Sequence, residues 1–274
     1  KSSLIETIGL RFVEEGHRVA VIPVDPSSHR SGGSVLGDKT RMSRLSASPD
    51  VYIRACPSRG ILGGIAEKTA DVIALCEHAG YDLVIVETVG LGQSEVEVDQ
   101  AVDMFVLLVS PGGGDDLQAS KKGIMEAVDL MAVTKADGDL FSTAKHTKAD
   151  YASHFSLMRP KDHLWYPRVQ LISSKTDLGV DEFMTSTSEF HSIMTSSGHL
   201  DKKRKEQAAY WLRAHFRRLV VAEMHTKKDI ARRVAELTER VQGGRMSPHK
   251  AARLLLNALE RLGVSQDAAP NPEK

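Results

Sequence analysis

Apolar runs alternate with amphipathic helical patterns over the first two thirds of the chain. Six runs are typical of strands, and the third to fifth of them are almost continuous in Val, Ile, Leu and Met. The runs are 18–25, 50–55, 81–88, 103–110, 130–137 and 168–173. Helical patterns separate them, including 64–79, about 118–128 and 140–156. Continuous apolar strands between helices indicate a parallel sheet covered on both faces, so we predict a doubly wound α/β domain.

The pattern changes near Ser197, where the sequence becomes polar and strongly charged. We interpret SSGHLDKKRKEQ as a polar connection to a helical region. The predicted helices span about 203–224, 227–242 and 248–262. Ser247 and Pro248 are typical of an N-cap and a first helical position. The predicted divisions are a nucleotide-binding domain over 1–197, a helical region over 198–262 and a disordered tail over 263–274.

Charge is balanced over the 274 residues but unevenly spread along them. Residues 201–262 contain 16 Lys and Arg against 7 Asp and Glu. We interpret this region as a solvated helical face, with an acidic partner or nucleic acid as the alternative. Cys56 and Cys76 lack a metal-binding spacing and indicate reduced thiols in an intracellular protein. Because no apolar run approaches about 18 residues, we expect a soluble protein without a transmembrane helix.

Polar residues follow the predicted strands, where ligands bind in an open α/β sheet. Thr134, Lys135 and Asp137 form a Thr-Lys-x-Asp tetrapeptide after the fifth strand. In nucleotide switches such an aspartate accepts hydrogen bonds from the guanine ring N–H and exocyclic amine. Adenine presents the wrong donors, so the pattern favours GTP over ATP. Taken alone, the tetrapeptide is also compatible with an ordinary loop, and its value comes from its place in the order of elements.

Two further groups point to phosphate and Mg²⁺. Glu87 and Gly90 follow the third strand, where a carboxylate can hold Mg²⁺ and a glycine N–H can meet a γ-phosphate. Lys1 and Ser2 open the helix before the first strand, where a Gly-x-x-x-x-Gly-Lys-Ser/Thr phosphate loop would end. We expect Lys1 to reach the β- and γ-phosphates and Ser2 to bind Mg²⁺. The glycines of that loop, and a strand before them, are expected upstream of Lys1.

Three segments together resemble the MeaB/MMAA/ArgK family of metallochaperone-type P-loop GTPases. They are VDPSSHRSGGSVLGDKTRM, RGILGGIAEKTADVIALCEHAGYDLVIVETVGLGQSE and VDMFVLLVSPGGGDDLQASKKGIMEAVDLMAVTKADGD, and the resemblance extends over about residues 1–262. It implies a GTPase chaperone that gates adenosylcobalamin loading and protection of methylmalonyl-CoA mutase. It also implies GTP, GDP and Mg²⁺ as ligands and a homodimer formed by the C-terminal helices. The implied location is the mitochondrial matrix in a eukaryote or the cytoplasm in a bacterium, without nucleic acid or membrane partners.

The resemblance implies roles for particular residues. The implied catalytic residues are Lys1, Asp25 and Glu87. The implied metal ligands are Ser2, Asp25, Asp38 and Glu87. The implied nucleotide contacts are Lys1, Ser2, Ser3, Gly90, Thr134, Lys135, Asp137, Ser173, Ser174 and Lys175. The loop 111–121 resembles the segment through which the family signals to the mutase.

Other readings of the sequence remain open. Leu91 stands after Gly90, where many small GTPases place a glutamine that orients water, so we expect slow and partner-stimulated hydrolysis. Gln93 is a weaker alternative for that role. His29 and His146 lack ligands at metal-binding spacing, and we interpret them as surface or packing residues. The alternative functions are a truncated, non-catalytic interaction module and a transport-associated ATPase or kinase, as an older label of the family suggests.

Overall fold

The computed structural model describes most of the chain in seven segments. The described residues are 1–25, 42–54, 56–57, 65–88, 98–113, 122–226 and 228–264. The strands are β1 (Val19–Asp25), β2 (Val51–Ile53), β3 (Cys56–Pro57), β4 (Leu83–Thr88), β5 (Val106–Val109), β6 (Leu130–Val133) and β7 (Arg168–Leu171). The helices are α1 (Ser2–Glu14), α2 (Ser43–Ser46), α3 (Ile65–His78), α4 (Lys122–Ala127), α5 (Phe141–Leu157), α6 (Val180–Ser196), α7 (His199–Thr226), α8 (Lys228–Gln242) and α9 (Pro248–Val264).

The strands form two parallel sheets. In the first sheet, β1 pairs with β4 over six residues and with β2 and β3 over shorter stretches. In the second sheet, the order is β5-β6-β7. Among the described strands, β4 pairs with β1 alone and β5 with β6 alone. The carboxyl ends of β1 and β4 are adjacent, because Val24 is in register with Thr88.

Helices cover both faces of these strands, which confirms the predicted doubly wound α/β fold. Leu4, Ile5 and Ile8 of α1 belong to one hydrophobic cluster with strand residues of both sheets, such as Val21 and Leu130. The apolar stripe of α1 therefore joins the two sheets in one core. On other faces, α3 packs against β1 and β4, and α4 and α5 pack against β5 and β6.

The chain divides into two compact units, each of which makes most of its contacts within itself. Residues Lys1–Ala209 form one compact unit and Tyr210–Lys274 form a second, with α7 contributing residues to both. The boundary at 197/198 between functional regions remains a prediction. Ser247 caps α9 as expected, since its Oγ accepts a hydrogen bond from the N–H of Lys250 at 3.3 Å.

The polar connection predicted over 196–207 is only two residues long in the structure, whereas the helix predicted over about 203–224 lies within α7. Helix α6 ends at Ser196, Gly198 turns the chain with φ +73°, and α7 begins at His199. Most charged residues after His199 are helix formers, and Lys203 and Arg204 form ion pairs with Asp99 and Asp103 within the first unit. No helix in the described part of the chain is long and apolar enough to cross a membrane.

Candidate nucleotide-binding site

The N-terminus of α1 meets the carboxyl end of β4. Lys1 Nζ donates a hydrogen bond to the carbonyl oxygen of Thr88 at 3.0 Å, and Ser2 Oγ donates to Glu87 Oε1 at 3.3 Å. These residues are more than 80 positions apart in the sequence, so only the packing of α1 over the sheets brings them together. The structure therefore joins three of the residues that the sequence predicted for phosphate and Mg²⁺.

The donor atoms at this position fit Mg²⁺. Ser2 supplies a hydroxyl and Glu87 a carboxylate, and both side chains are half-buried. Mg²⁺ prefers oxygen ligands and is usually held by one or two protein groups together with phosphates and water. The α1 N-terminus also directs backbone N–H groups and its positive dipole end toward this place, which favours an anion there.

Several predicted residues lie outside the described part of the structure. They are Asp38, Gly90, Leu91, Gln93, His29 and residues 114–121 of the loop 111–121. The backbone of Asp25 ends β1 in register with Pro57, which places it at the carboxyl edge of the sheet. Of the loop 111–121, the described part includes Gly112, whose N–H donates to Thr147 Oγ1 of α5 at 3.1 Å.

A second group of predicted residues lies at the carboxyl ends of β6 and β7. Ser173 Oγ donates a hydrogen bond to Asp137 Oδ2, and Ser173 is fully buried. The same Oγ accepts hydrogen bonds from the N–H groups of Lys175 and Thr176 at 3.2 and 3.3 Å. The Asp137 carboxylate is thus held in one orientation by the turn after β7. A carboxylate that is already fixed in the free protein loses little conformational entropy when it accepts hydrogen bonds from a pair of N–H donors, which favours binding.

The Thr-Lys-x-Asp segment is itself fixed by backbone geometry. The N–H and the Oγ1–H of Thr134 both donate to the carbonyl of Val109, at 2.8 and 3.0 Å. Lys135 has φ +54°, an uncommon conformation for a residue with a side chain. The N–H of Ala136 then donates to Ile172 O at 3.2 Å. Strained backbone held by its surroundings is frequent at ligand sites, which agrees with the predicted role of this segment.

The turn that carries Ser173 depends on a glycine. Gly179 has φ +74°, and a Cβ built there would lie 1.9 Å from the carbonyl oxygen of Leu171. The N–H of Ser173 bonds to Leu178 O at 2.9 Å and closes the turn just before this glycine. Ser174 and Lys175 are exposed on the turn, and Ser3 is exposed on the first turn of α1.

One hydrophobic core supports both groups. Leu4 and Ile8 of α1 share a cluster with Ile172, which precedes Ser173, and with Val180, which follows Gly179. The Lys1–Ser2 end and the Asp137–Ser173 end are therefore parts of one packed unit. This arrangement can hold the phosphate end and the base end of a nucleotide with separate loops.

Sequence reasoning missed a group of charges around two buried aspartates, here named the aspartate–lysine cluster (Asp99, Asp129, Lys161 and Lys203). Lys161 Nζ lies 2.5 Å from Asp99 Oδ1 and 3.4 Å from Asp129 Oδ2, and Lys203 Nζ lies 3.1 Å from Asp99 Oδ1. Burial raises the pKa of Asp129, although both lysines oppose that shift. Burial alone would lower the pKa of Lys161, but Asp129 and Asp99 reverse the direction and raise it.

The aspartate–lysine cluster attaches the start of α7 to the segment just before β5. Gln207 Nε2 donates to the carbonyls of Asp99 and Val102, at 3.1 and 2.8 Å. Arg204 forms a two-point ion pair with Asp103, at 3.0 and 2.6 Å. Because these contacts join residues about 100 positions apart, no local periodicity in the sequence predicts them. The basic run KKRK was the available signal, and it was interpreted as part of a polar connection and of a solvated helical face.

Comparisons with known proteins agree with one family. Residues 1–229 match the family described as "Methylmalonyl Co-A mutase-associated GTPase MeaB". The mouse "Methylmalonic aciduria type A homolog, mitochondrial" is 44% identical over 260 residues, covering 95% of this chain and 63% of that protein. "GTPase ArgK" of Escherichia coli is 42% identical over 255 residues, covering 93% of this chain and 77% of that protein.

A solved structure has the same fold. The crystal structure of a LAO/AO transport system kinase matches with a TM-score of 0.70 at 32% identity, covering 94% of this chain and 77% of that one. The chain spans less than two thirds of the mouse relative and of the Caenorhabditis elegans relative of the same name, at 63% and 64% of their lengths.

Proposed function

Because the chain belongs to the MeaB family of methylmalonyl-CoA mutase-associated GTPases and has its P-loop α/β fold, we propose that the full-length gene product binds guanine nucleotides with Mg²⁺ and hydrolyses GTP. The observation that carries the proposal is the Asp137 carboxylate, which Ser173 orients at the carboxyl edge of the second sheet. A carboxylate fixed in this way accepts hydrogen bonds from the guanine N–H groups and has nothing to offer the acceptor nitrogens of adenine.

At the other end, Lys1 and Ser2 serve the phosphates. The Lys1 ammonium, placed beside Thr88, neutralises charge on the β- and γ-phosphates. Ser2, Glu87 and the Asp25 and Asp38 carboxylates are the oxygen donors for Mg²⁺, which neutralises further phosphate charge when bound. The backbone N–H of Gly90 meets the γ-phosphate, and Ser3, Thr134, Lys135, Ser174 and Lys175 complete the nucleotide contacts. Leu91 cannot orient water, so intrinsic hydrolysis is slow and a partner accelerates it.

The aspartate–lysine cluster gives a route from the nucleotide to the start of α7. Glu87 lies in β4, and residues 98–103 open the next described segment after that strand. Asp99 and Asp103 in this segment hold Lys203 and Arg204 of α7. A change at Glu87 that shifts this segment therefore moves or releases the base of α7. Such a link is the type of bistable contact through which γ-phosphate loss is transmitted.

The partner of the switch is methylmalonyl-CoA mutase, and the switch gates adenosylcobalamin loading and protection of that enzyme. The name of the matching family supports the mutase as partner, and the adenosylcobalamin role rests on the resemblance of the three sequence segments. The chaperone performs no cobalamin chemistry itself, and the loop 111–121 carries the signal. The compartment is the mitochondrial matrix in a eukaryote and the cytoplasm in a bacterium.

The C-terminal helices form a homodimer. Leu212, Phe216 and Leu219 of α7 are between 61% and 70% exposed, and their spacing places them on one face of the helix. Exposed large apolar side chains at helical spacing are typical of a surface that packs against another helix. The second copy of the chain offers the same stripe, so the contact closes by two-fold symmetry.

The experiment for guanine recognition replaces Asp137 with Asn in the full-length gene product. The Asn amide donates where the carboxylate accepted, so it repels the guanine exocyclic amine and suits the carbonyl that xanthine has there. Two hydrogen bonds to a charged acceptor are worth about 1.5–3 kcal/mol each. Calorimetry should therefore show that Asp137→Asn binds GDP about 100-fold or more weakly than the unchanged protein does, and that it binds xanthosine diphosphate more tightly than the unchanged protein does.

The control is Asp139→Asn, two residues further along on the exposed short helix Gly138–Leu140. It should leave GDP affinity unchanged. If Asp137→Asn binds GDP as tightly as the unchanged protein, the guanine assignment is wrong. If the unchanged protein binds neither GDP nor ADP, the protein is a non-catalytic interaction module rather than a GTPase. If the unchanged protein binds ADP more tightly than GDP, it is the transport-associated ATPase or kinase.

A further inference from the structure

Two histidines and one aspartate converge beside the base of α7. Asp162 Oδ1 lies 3.5 Å from His163 Nδ1, and Asp162 Oδ2 lies 3.5 Å from His199 Nε2. One ligand atom from each residue lies within 4.8 Å of the others. No nucleotide-contacting residue named above belongs to this group. We propose that Asp162, His163 and His199 form a binding site for a divalent transition metal of the Zn²⁺ class.

The donor set and the spacing both suit such an ion. Zn²⁺ binds imidazole nitrogen and carboxylate oxygen at about 2.0–2.2 Å, so tetrahedral ligands stand about 3.4 Å apart. Each oxygen of Asp162 stands 3.5 Å from one imidazole nitrogen, Oδ1 from His163 and Oδ2 from His199, which is close to that separation. Since the three ligand atoms lie within 4.8 Å of one another, the His163–His199 pair needs a shift of at most about 1.4 Å to share the ion. His163 can supply it, because its side chain is 79% exposed and free to rotate.

The surroundings hold Asp162 in place. Its Oδ1 accepts a hydrogen bond from the N–H of Leu164 at 2.8 Å. Lys161, on one side, is tied to the aspartate–lysine cluster. Trp165, on the other side, is buried and donates its indole N–H to Asp129 O at 2.8 Å. A ligand fixed by outer hydrogen bonds loses little entropy on binding, which favours a real site over a chance surface group.

His199 makes the site a link between two elements. It is the first residue of α7, and its ring stands edge-on to that of His163 at 5.5 Å between centroids. A metal bound here joins the segment 161–165 to the start of α7, four residues before Lys203. With three protein donors, one tetrahedral position stays open for water or for a ligand from a partner. The site therefore clamps the base of α7 and can accept an exogenous ligand.

The test is Zn²⁺ and Co²⁺ titration of the chelator-treated full-length gene product. We expect one Zn²⁺ per chain by calorimetry, and Co²⁺ should show the visible absorption of a four- or five-coordinate site. His163→Ala and His199→Ala should each weaken Zn²⁺ binding by about ten-fold or more, since losing even an outer-shell partner costs that much. His163 is exposed enough that its loss cannot prevent folding, and circular dichroism confirms this for each variant.

The matched control is His154→Ala, an exposed histidine on α5 outside the group. It should leave the affinity and the Co²⁺ spectrum unchanged. A wild-type protein without saturable Zn²⁺ binding would overturn the proposal. So would binding that survives both His163→Ala and His199→Ala, or that falls equally in His154→Ala, because the ion would then lie elsewhere.

Discussion

Replacing Lys161 with Met tests the aspartate–lysine cluster directly. The substitution keeps most of the aliphatic stem and removes the ammonium group, which lies 2.5 Å from Asp99 and 3.4 Å from Asp129. The Lys161 side chain is 26% exposed, and those of Asp99 and Asp129 are 12% and 7% exposed. The variant therefore leaves two largely buried carboxylates with less compensating positive charge.

The expected cost follows from that burial. Removing one partner of a buried ion pair destabilises a protein by about 3–5 kcal/mol. Lys203 still neutralises Asp99, and Lys161 is partly exposed, so we expect the lower end, about 3 kcal/mol. For a protein of this size that corresponds to a fall in Tm of about 6–12 °C.

The penalty should depend on pH through Asp129. Burial raises the pKa of Asp129, and Lys161 is the largest influence that lowers it, so Lys161→Met raises it further. A carboxyl whose pKa is raised by folding binds more protons in the folded state, so stability falls as pH rises through that window. The substitution should therefore cost more at pH 8 than at pH 5, where protonation relieves the buried charge.

Urea unfolding of metal-free protein at both pH values measures this. The control is Lys202→Met, whose ion pair with Glu206 at 3.9 Å is about 70% exposed on both sides. It should cost less than about 0.5 kcal/mol at either pH. If Lys161→Met costs no more than Lys202→Met, the cluster contributes nothing to the attachment of α7. A penalty that is larger at pH 5 would contradict the role assigned to Asp129.

Three further predictions concern glycine, capping and dimerisation. Gly179→Ala should lower the free energy of unfolding by more than about 2 kcal/mol and weaken GDP binding. Gly198 also has a positive φ but has open space around it, so Gly198→Ala should lower the free energy of unfolding by about 1 kcal/mol. Equal costs of the two substitutions would refute the clash with Leu171. Ser247→Ala should destabilise α9 by about 1 kcal/mol in thermal unfolding. No change would mean that water satisfies the N–H of Lys250 as well as the Ser247 hydroxyl does, so that the cap contributes nothing to stability. Phe216→Glu should convert the homodimer to monomers in sedimentation while circular dichroism shows an unchanged helix content, and a persistent dimer would place the interface elsewhere.

The fold and the position of the segment Thr134–Asp137 were predictable because their signals are local. Continuous apolar strands fix a buried parallel sheet, and the α/β prediction is confirmed. The position of Thr134–Asp137 after such a strand places that segment at the ligand edge, and the structure does put it there. Its neighbour Ser173 was also predicted, although the hydrogen bond between Ser173 and Asp137 could not be read from either segment alone.

The interpretation of 196–207 failed because local polarity and tertiary burial conflict there. A run of lysines and arginines is usually solvated, yet Lys203 and Arg204 are paired with aspartates about 100 residues earlier. Such partners depend on how the start of α7 packs within the first unit, which has no local sequence signal. The same holds for Asp162 and His199, which are 37 positions apart and meet only in the folded chain.

The central claim is guanine specificity, and a paired titration tests it most directly. Mg²⁺·GDP and Mg²⁺·ADP are titrated calorimetrically into the full-length gene product under the same conditions. The fixed Asp137 carboxylate predicts that GDP binds about 100-fold or more tightly than ADP. Equal affinities, or tighter binding of ADP, would contradict the account, because no carboxylate at this position would then be reading the base.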